Sequence, residues 1–513
     1  MRFAQKNGNW PNILNGLKGF AELLKVGDPT GLADLTHSDV NTASAYLCHV
    51  VGALNLAARD QRFGDIQMIK GNEAVRFHLP TLSTNLTQQN LLSLVNYLNK
   101  RQGRFAPDHA LKFIEMIRKA APPHLPRGTN AANFIAAAAA RKIPFAIHGN
   151  GYLMFGYGSG STIFDSSITD QEKSIGIGFA RSKVHTNSFL KTCGIPVVEQ
   201  VRIASLDDAF KFADRCGYPV VLKPTDQEQG RGIFANIQNA EDLRFCFESI
   251  SGTYKNLMIE THAVGHHYRI NLMGEAVIET SMRRAASVIG DGSSTLRVLI
   301  GRLNQEPERL DPNSAMKPVT FDADLERSLK NQGTGLQDIP EAGQSIYLRS
   351  ITNGSRGGTK VFIDRADVHK ENYELCFAVA RAMRIEIAGI DVISPDISQP
   401  WYSNGAVICE VNAKPQLGKG GTEIFWNILK NYLGPAPTIR LMVSDAPEPS
   451  KQFLYDTQRS DITVNVSAKQ VLRHGCPTQY FDALDIDDSV SDADRARLKR
   501  LMVSVPLVDV ADA

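Results

Sequence analysis

Three oxygen-bearing residues near the end of the chain, Asp391, Glu410 and Asn412, constrain its fold more than any other feature. Asp391 lies in A-G-I-D-V and Glu410 in I-C-E-V-N-A-K-P, two apolar, β-branched runs that predict strands. Because residues i and i+2 of a strand share a face, Glu410 and Asn412 can bind one cation while Asp391 approaches from a neighbouring strand. A buried carboxylate needs such a cation or a basic partner. Mg²⁺ is usually held by one or two carboxylates plus nucleotide phosphates, so this pattern predicts a magnesium site.

Two lysines indicate where phosphates would bind. Lys223 closes the strand-like run Y-P-V-V-L-K-P, and the polar loop after it contains Gly230 and Gly232, which let backbone amides approach an anion. Lys183 begins a helical segment that ends at G-I-P. Each signal alone is also typical of a solvated turn. Their order along the chain makes the phosphate interpretation specific.

That order resembles the ATP-grasp superfamily of carboxylate-amine ligases. The shared strings are Lys183, G-I-P, Y-P-V-V-L-K-P, the glycine-rich loop, L-M-I-E-T-H, G-I-D-V and E-V-N-A-K-P. Within the superfamily the chain looks most like the ATP-grasp portion of cyanophycin synthetases, through I-Y-L-R, N-G-S-R-G-G-T, V-H and A-G-I-D-V. The resemblance covers residues 105–420 and is faintly visible from residue 40. It implies an α/β (α+β) chain with an ATP-grasp fold.

Four segments are expected from these patterns. Leu47, Val50, Val51 and Leu54 show helical periodicity in the N-terminal part, and K-I-P-F with Y-G-S-G is similar to the pre-grasp segment of the family. The run G-Y-G-S-G-S-T at 156–162, which contains this Y-G-S-G, is open to two interpretations, a second anion cradle or a flexible hairpin. The segments are an N-terminal accessory α/β domain (1–103), a pre-ATP-grasp segment (104–172), the ATP-grasp domain (173–430) and a C-terminal extension (431–513) with a charged helix near its end.

One ATP site is expected. Cyanophycin synthetases also carry a Mur-ligase-like ATPase domain, which needs a G-x-x-x-x-G-K-[ST] loop and several hundred further residues. The sequence shows about 100 residues after Glu410, and G-K-G-G-T at 418–422 does not fit the loop pattern. We therefore do not expect a complete cyanophycin synthetase.

Composition indicates a cytoplasmic enzyme. The formal charge of +2 over 513 residues argues against nucleic acid as the main partner. Seven cysteines without a C-x-x-C pair are typical of a reducing compartment. The N-terminus lacks the apolar core of a signal peptide, and no stretch approaches the ~20 apolar residues of a membrane span. We expect no membrane partner, and a homo-oligomer is possible.

The resemblance also implies nucleotide contacts. Met258–Ala263 matches the strand-to-hinge segment whose backbone reads adenine, which includes Glu260, Thr261 and Ala263. The family usually places an acid for the ribose hydroxyls seven positions after the hinge glutamate, where this chain has His267. That residue is a departure from the family pattern.

The catalytic residues implied by the resemblance are Arg269, Arg349, Asn353 and Ser355. Arg269 matches an arginine that faces the transferring phosphate. Arg349 precedes the N-G-S-R-G-G-T loop, which is expected to contact substrate or phosphate and contains Asn353 and Ser355. Together with Arg349, the further cations Arg283 and Arg284 lie where the family binds its carboxylate substrate, and Arg349 is the preferred candidate of the three because it precedes this loop.

The expected chemistry has two steps, in which a substrate carboxylate takes the γ-phosphate of ATP to give an acyl phosphate, and an amine then displaces phosphate. The cofactors are ATP and Mg²⁺, with Mn²⁺ as an alternative metal, and the substrates are amino acids or short peptides. Three functions stay open: a ligase making a single amide, a ligase extending a cyanophycin-like polymer, and a non-catalytic ATP-binding protein. No residue in the sequence identifies a base for the amine.

Overall fold

The chain forms two compact units. The computed structural model describes residues 10–26, 39–58, 60, 67–70, 75–79, 81–126, 128–149, 151–225, 232–310, 316–349, 352, 354–418 and 421–502. The terminal unit combines Met1–Asp170 with Gly420–Ala513, and the central unit is Gln171–Lys419. The four-segment division expected from the sequence stays a prediction.

The N-terminal part of the terminal unit has five α-helices and six short strands in its described residues. They are α1 (Trp10–Leu23), α2 (Asp39–Ala57), β1 (Gln67–Lys70), β2 (Val75–His78), α3 (Thr84–Lys100), α4 (Pro107–Ala120), α5 (Thr129–Ala140), β3 (Phe145–His148), β4 (Tyr152–Phe155), β5 (Thr162–Asp165) and β6 (Ile168–Thr169). Helices α1–α4 pack around one apolar core that includes Val50, Val51 and Leu54, so the predicted helical periodicity is correct. Strands β3–β6 form an antiparallel sheet.

The central unit contains the segments that carry the predicted site. Its elements are α6 (Ser174–Ala180), α7 (Lys183–Thr192), β7 (Gln200–Ile203), α8 (Leu206–Cys216), β8 (Val220–Pro224), β9 (Phe234–Ile237), α9 (Ala240–Ser251), β10 (Leu257–Thr261), β11 (His266–Met273), β12 (Ala276–Arg284), β13 (Ser287–Ile289), α10 (Leu296–Leu303), α11 (Pro307–Leu310), α12 (Ala323–Asn331), β14 (Ser345–Tyr347), β15 (Thr359–Phe362), α13 (Lys370–Met383), β16 (Ile387–Ser394), α14 (Trp401–Asn404) and β17 (Val407–Asn412).

Two antiparallel sheets organise the central unit. One has the order β7-β10-β8-β9 and packs against α8 and α9, and the other has the order β15-β12-β11-β16-β17. One face of the five-stranded sheet carries Tyr268, Ile270, Ile390 and Val392, which pack with α13 in the largest core of this unit. Since side chains alternate along a strand, the other face of this sheet presents a separate set of residues.

The terminal unit is completed by α15 (Gly421–Leu429), β18 (Thr438–Ser444), β19 (Asp461–Ser467), α16 (Ala468–His474), β20 (Ala483–Ile486) and α17 (Asp492–Leu501). Strands β18, β19 and β20 form a parallel sheet in the order β19-β18-β20. The amides of Gly158 and Ser159 donate to the carbonyls of Leu454 and Arg459, at 2.7 and 2.8 Å. These bonds give the 156–162 run a structural role. The predicted charged helix near the end of the chain is α17.

The mixture of helices and sheets confirms the predicted α/β (α+β) class. Among the described residues, no helix is both long and apolar enough to cross a bilayer.

Candidate active site

The second face of the five-stranded sheet carries polar side chains across its centre, and we call it the polar face. Its central row, read across neighbouring strands, is Ser281, Arg269, Asp391 and Glu410, each opposite the next in the strand register. The strand patterns predicted this approach of Asp391 to Glu410. The polar face therefore gathers the carboxylates and an arginine that the sequence singled out.

Asp391 and Arg269 form a buried, two-point ion pair. Arg269 Nη2 donates to Asp391 Oδ2 at 2.8 Å, and its Nε donates to Oδ1. Arg283 lies 3.5 Å from the same carboxylate. Burial raises the pKa of Asp391, but the two guanidinium groups outweigh burial and hold this pKa below its usual range. Asp391 is therefore ionised at neutral pH.

Gly389 makes room for this arginine. It lies two residues before Asp391 on the same face of β16 and opposite Asn271. A Cβ atom at this position would lie 2.8 Å from Arg269 Nη1 and 2.9 Å from Asn271 Oδ1. The absence of a side chain at this position leaves room for the guanidinium of Arg269.

Glu410 faces the helix that carries Lys183. Lys183 Nζ lies 3.5 Å from Glu410 Oε1, and Ser182 caps α7 by accepting from the amide of His185. A β-bulge in β17 beside Asp391 turns Cys409 and Glu410 toward the same cavity. The cavity is lined by Ala180, Lys183, Thr186, Asn187, Leu190, Val197, Ile408, Cys409, Glu410 and Val411.

Lys223 and Glu260 form a second buried pair on adjacent strands β8 and β10. Their charged groups are 2.7 Å apart, and 8% and 7% of the two side chains are exposed. Burial lowers the pKa of Lys223, but Glu260, together with Cys409 and Glu410, more than offsets this and the pKa is raised overall. Lys223 therefore stays protonated inside the protein.

Glu279 is a third carboxylate of the polar face, which the sequence analysis did not single out. It lies opposite Asn271 and accepts from Asn271 Nδ2 at 2.9 Å and from Lys360 Nζ at 2.6 Å. Alternation in I-E-T-S-M-R, which places Glu279, Ser281 and Arg283 on one face, was the signal that could have found it.

His267 lies on the polar face opposite Arg283. Burial lowers the pKa of His267 to about 4, so its imidazole is neutral at pH 7. Thr261 ends β10, where its amide donates to Glu199 O, and Ala263 follows in the connection to β11. Gly232, with φ +68°, opens the chain that leads into β9.

Arg349 follows β14 and contacts the residues at the start of α12. Its side chain is fully buried. It donates to Asp322, and its Nη2 lies 2.6 Å from Thr320 O. Arg356 donates to the other oxygen of Asp322 at 2.9 Å. The predicted catalytic roles of Arg349, Asn353 and Ser355 stay predictions. Gly230, Asn353 and the side chain of Ser355 lie outside the described residues.

The residues present suit a hard cation bound together with phosphates. Asp391 and Glu410 are paired across two strands, and Asn412 lies two positions after Glu410, opposite Gly389. Within the described ranges, no group of three or more His, Cys, Asp or Glu side chains could hold a metal by itself. Mg²⁺ commonly binds through one or two carboxylates and phosphate oxygens, which this donor set permits. Asp391 would have to exchange Arg269 for the ion.

A protein family matches part of the central unit. Residues 182–262 match the family described as the ATP binding domain of the carbamoyl-phosphate synthase L chain. This range contains Lys183, Lys223 and Glu260, and the match confirms the prediction of ATP as a cofactor.

The chain is also similar to individual known proteins. The chain is 34% identical to the cyanophycin synthetase of Trichormus variabilis over 266 residues, 51% of this chain and 29% of that protein. It is 29% identical to the glutathione biosynthesis bifunctional protein GshAB of Pasteurella multocida over 264 residues, 49% of this chain and 34% of that protein. A solved bifunctional glutathione synthetase from P. multocida has a TM-score of 0.44 and 20% identity, covering 81% of this chain and 55% of that chain. The matched stretch spans less than a third of the cyanophycin synthetase, and the predicted resemblance to its ATP-grasp portion is confirmed.

Proposed function

We propose that the protein is an ATP-dependent ligase that joins a carboxylate, from an amino acid or a short peptide, to an amine. ATP is converted to ADP and phosphate through an acyl phosphate. The observation that carries this proposal is the polar face, where Asp391 and Glu410 lie opposite each other with Arg269 and Lys183 beside them. The similarity to cyanophycin synthetase and to a glutathione biosynthesis protein supports the same reaction class.

The basic residues of the site would hold the phosphates. Lys183, Lys223 and Arg269 supply fixed positive charges in a largely buried setting, where electrostatic stabilisation of a transferring phosphoryl group is strong. Mg²⁺, held by Asp391, Glu410 and Asn412, would neutralise phosphate charge when bound, and Mn²⁺ is the alternative ion. The protein thus contributes mainly position and charge.

Arg283 is the basic residue best placed for the substrate carboxylate. It lies on the polar face opposite His267 and Lys360, and 29% of its side chain is exposed. Arg284, its neighbour along β12, points to the other face by strand alternation. Arg283 therefore replaces the buried Arg349 as our first candidate for this contact.

The test is a turnover assay with ATP, Mg²⁺ and pools of amino acids and short peptides. ADP release that depends on one acid and one amine, with a product mass equal to their sum less water, would support the proposal. A ladder of product masses would favour the polymer-extending alternative. The similarity to cyanophycin synthetases supports that alternative. ATP binding without turnover in any pool would favour a non-catalytic role.

Three other properties that we predict from the sequence stay proposals. They are a cytoplasmic location, the absence of nucleic-acid and membrane partners, and possible homo-oligomers.

A further inference from the structure

The polar face holds one carboxylate that phosphate and metal binding do not use. Asp391 pairs with Arg269, and Glu410 with Lys183. Glu279 lies on the other side of Arg269, two positions before Ser281 on β12, and 7% of its side chain is exposed. Burial lowers the pKa of Arg269, but nearby carboxylates raise it overall. Asp391 contributes most to this rise, and Glu279 is close enough to contribute as well.

Asn271 provides a second acceptor beside Glu279. Its Nδ2 donates to Glu279 Oε1 at 2.9 Å and to the carbonyl of Gln416 at 3.1 Å. Both partners can only accept, so they identify which atom of the amide is Nδ2 and which is Oδ1. Asn271 is fully buried, and among the described residues this Oδ1 has no hydrogen-bond partner. A buried acceptor of this kind needs a donor from a ligand or from water.

Lys360 shows that the carboxylate of Glu279 can receive an ammonium group. Its Nζ lies 2.6 Å from Glu279 Oε1 and passes over the ring of Phe362 at 4.6 Å from the ring centre. The lysine is 37% exposed, and its flexible four-carbon chain can move into solvent. An incoming ammonium group can therefore take its place.

We propose that Glu279 is the base that deprotonates the amine substrate. This inference rests on the proposed ligase function. The ammonium form of the amine binds at Glu279 and Asn271 Oδ1, and one N–H proton passes to the Glu279 carboxylate. The freed nitrogen pair forms the C–N bond at the acyl phosphate carbon, and the bond from carbon to the phosphate oxygen breaks. Phosphate leaves with its electron pair, and the nitrogen and Glu279 later release their protons to solvent.

The test compares two nucleophiles in Glu279→Gln. With ATP, Mg²⁺ and the twenty amino acids as the acid and amine pool, amide formation should fall about 10²–10⁴-fold, the usual contribution of a general base. Hydroxylamine is neutral at pH 7 and needs no base, so the same variant should form hydroxamate close to the wild-type rate. Glu275→Gln is the matched control on the same hairpin, because Glu275 is exposed and pairs with Arg381 away from the polar face.

Three outcomes would separate the possibilities. Amide formation by Glu279→Gln at the wild-type rate would overturn the assignment, and so would an equal loss with both nucleophiles in a protein that melts normally. If Glu279→Gln melts early, Glu279→Gln with Lys360→Met removes the unpaired lysine and is tested in the same way. If the wild type forms neither amide nor hydroxamate, the proposed ligase function fails instead.

Discussion

Replacing Lys223 with methionine would leave Glu260 as a buried carboxylate without its cation. The two groups are 2.7 Å apart, and less than a tenth of each side chain is exposed. Removing one partner of such a pair costs about 3–5 kcal/mol. Because about 1 kcal/mol shifts the melting temperature of a domain of roughly 150–250 residues by about 2–4 °C, the central unit should melt roughly 6–20 °C lower.

A second substitution separates stability from function. In Lys223→Met with Glu260→Gln the unpaired charge is gone, so most of the lost stability should return. The ammonium group that we assign to phosphate binding is still missing, so ATP binding should stay lost. Thermal melting without ligand measures the first effect, and calorimetric titration with ATP and Mg²⁺ measures the second.

Two results would refute this reasoning. A Lys223→Met protein that melts at the wild-type temperature would show that the buried pair does not stabilise the central unit. A double variant that binds ATP with wild-type affinity would show that Lys223 serves the fold alone.

Three further substitutions test neighbouring parts of the site. Gly389→Ala should displace Arg269, lowering stability by about 1–3 kcal/mol and reducing ADP release strongly, whereas Gly301→Ala, with open space around it, should do neither. Burial lowers the pKa of His267 to about 4, so between pH 6.5 and 4 the unfolded chain binds more protons than the folded chain. The free energy of unfolding should therefore fall by about 2–3 kcal/mol as the pH drops from 6.5 to 4. His267→Gln should reduce this pH dependence in thermal melts across the same range. Glu410→Ala should abolish ADP release while changing the melting temperature little, because its side chain is 36% exposed; full activity would contradict its assignment.

Strand patterns carried most of the sequence prediction. Asp391 and Glu410 lie in apolar runs whose alternation sets the face of each side chain, and the structure places them directly opposite each other. The helix that begins at Lys183 follows equally from local signals, since a serine cap precedes it and Gly194 lies just beyond its end. Period and capping are local properties, so one sequence is enough to read them.

Burial and pairing could not be predicted in the same way. Arg349 precedes a glycine-rich loop, but only the fold shows that Asp322 and Thr320 occupy its guanidinium. Glu279 and Gly389 matter because of residues on neighbouring strands, and strand order is a long-range property that no short motif contains. The pairing of Asp391 with Arg269 depends on the same sheet order.

An isotope experiment tests the central claim most directly. The wild-type protein would be incubated with ATP, Mg²⁺, the amine and a carboxylate substrate labelled with ¹⁸O in both oxygens, and the released phosphate would be analysed by mass spectrometry. Our account predicts one ¹⁸O atom in each phosphate, because the carboxylate oxygen attacks the γ-phosphorus and leaves with it. Unlabelled phosphate, or label in AMP, would contradict an acyl phosphate mechanism.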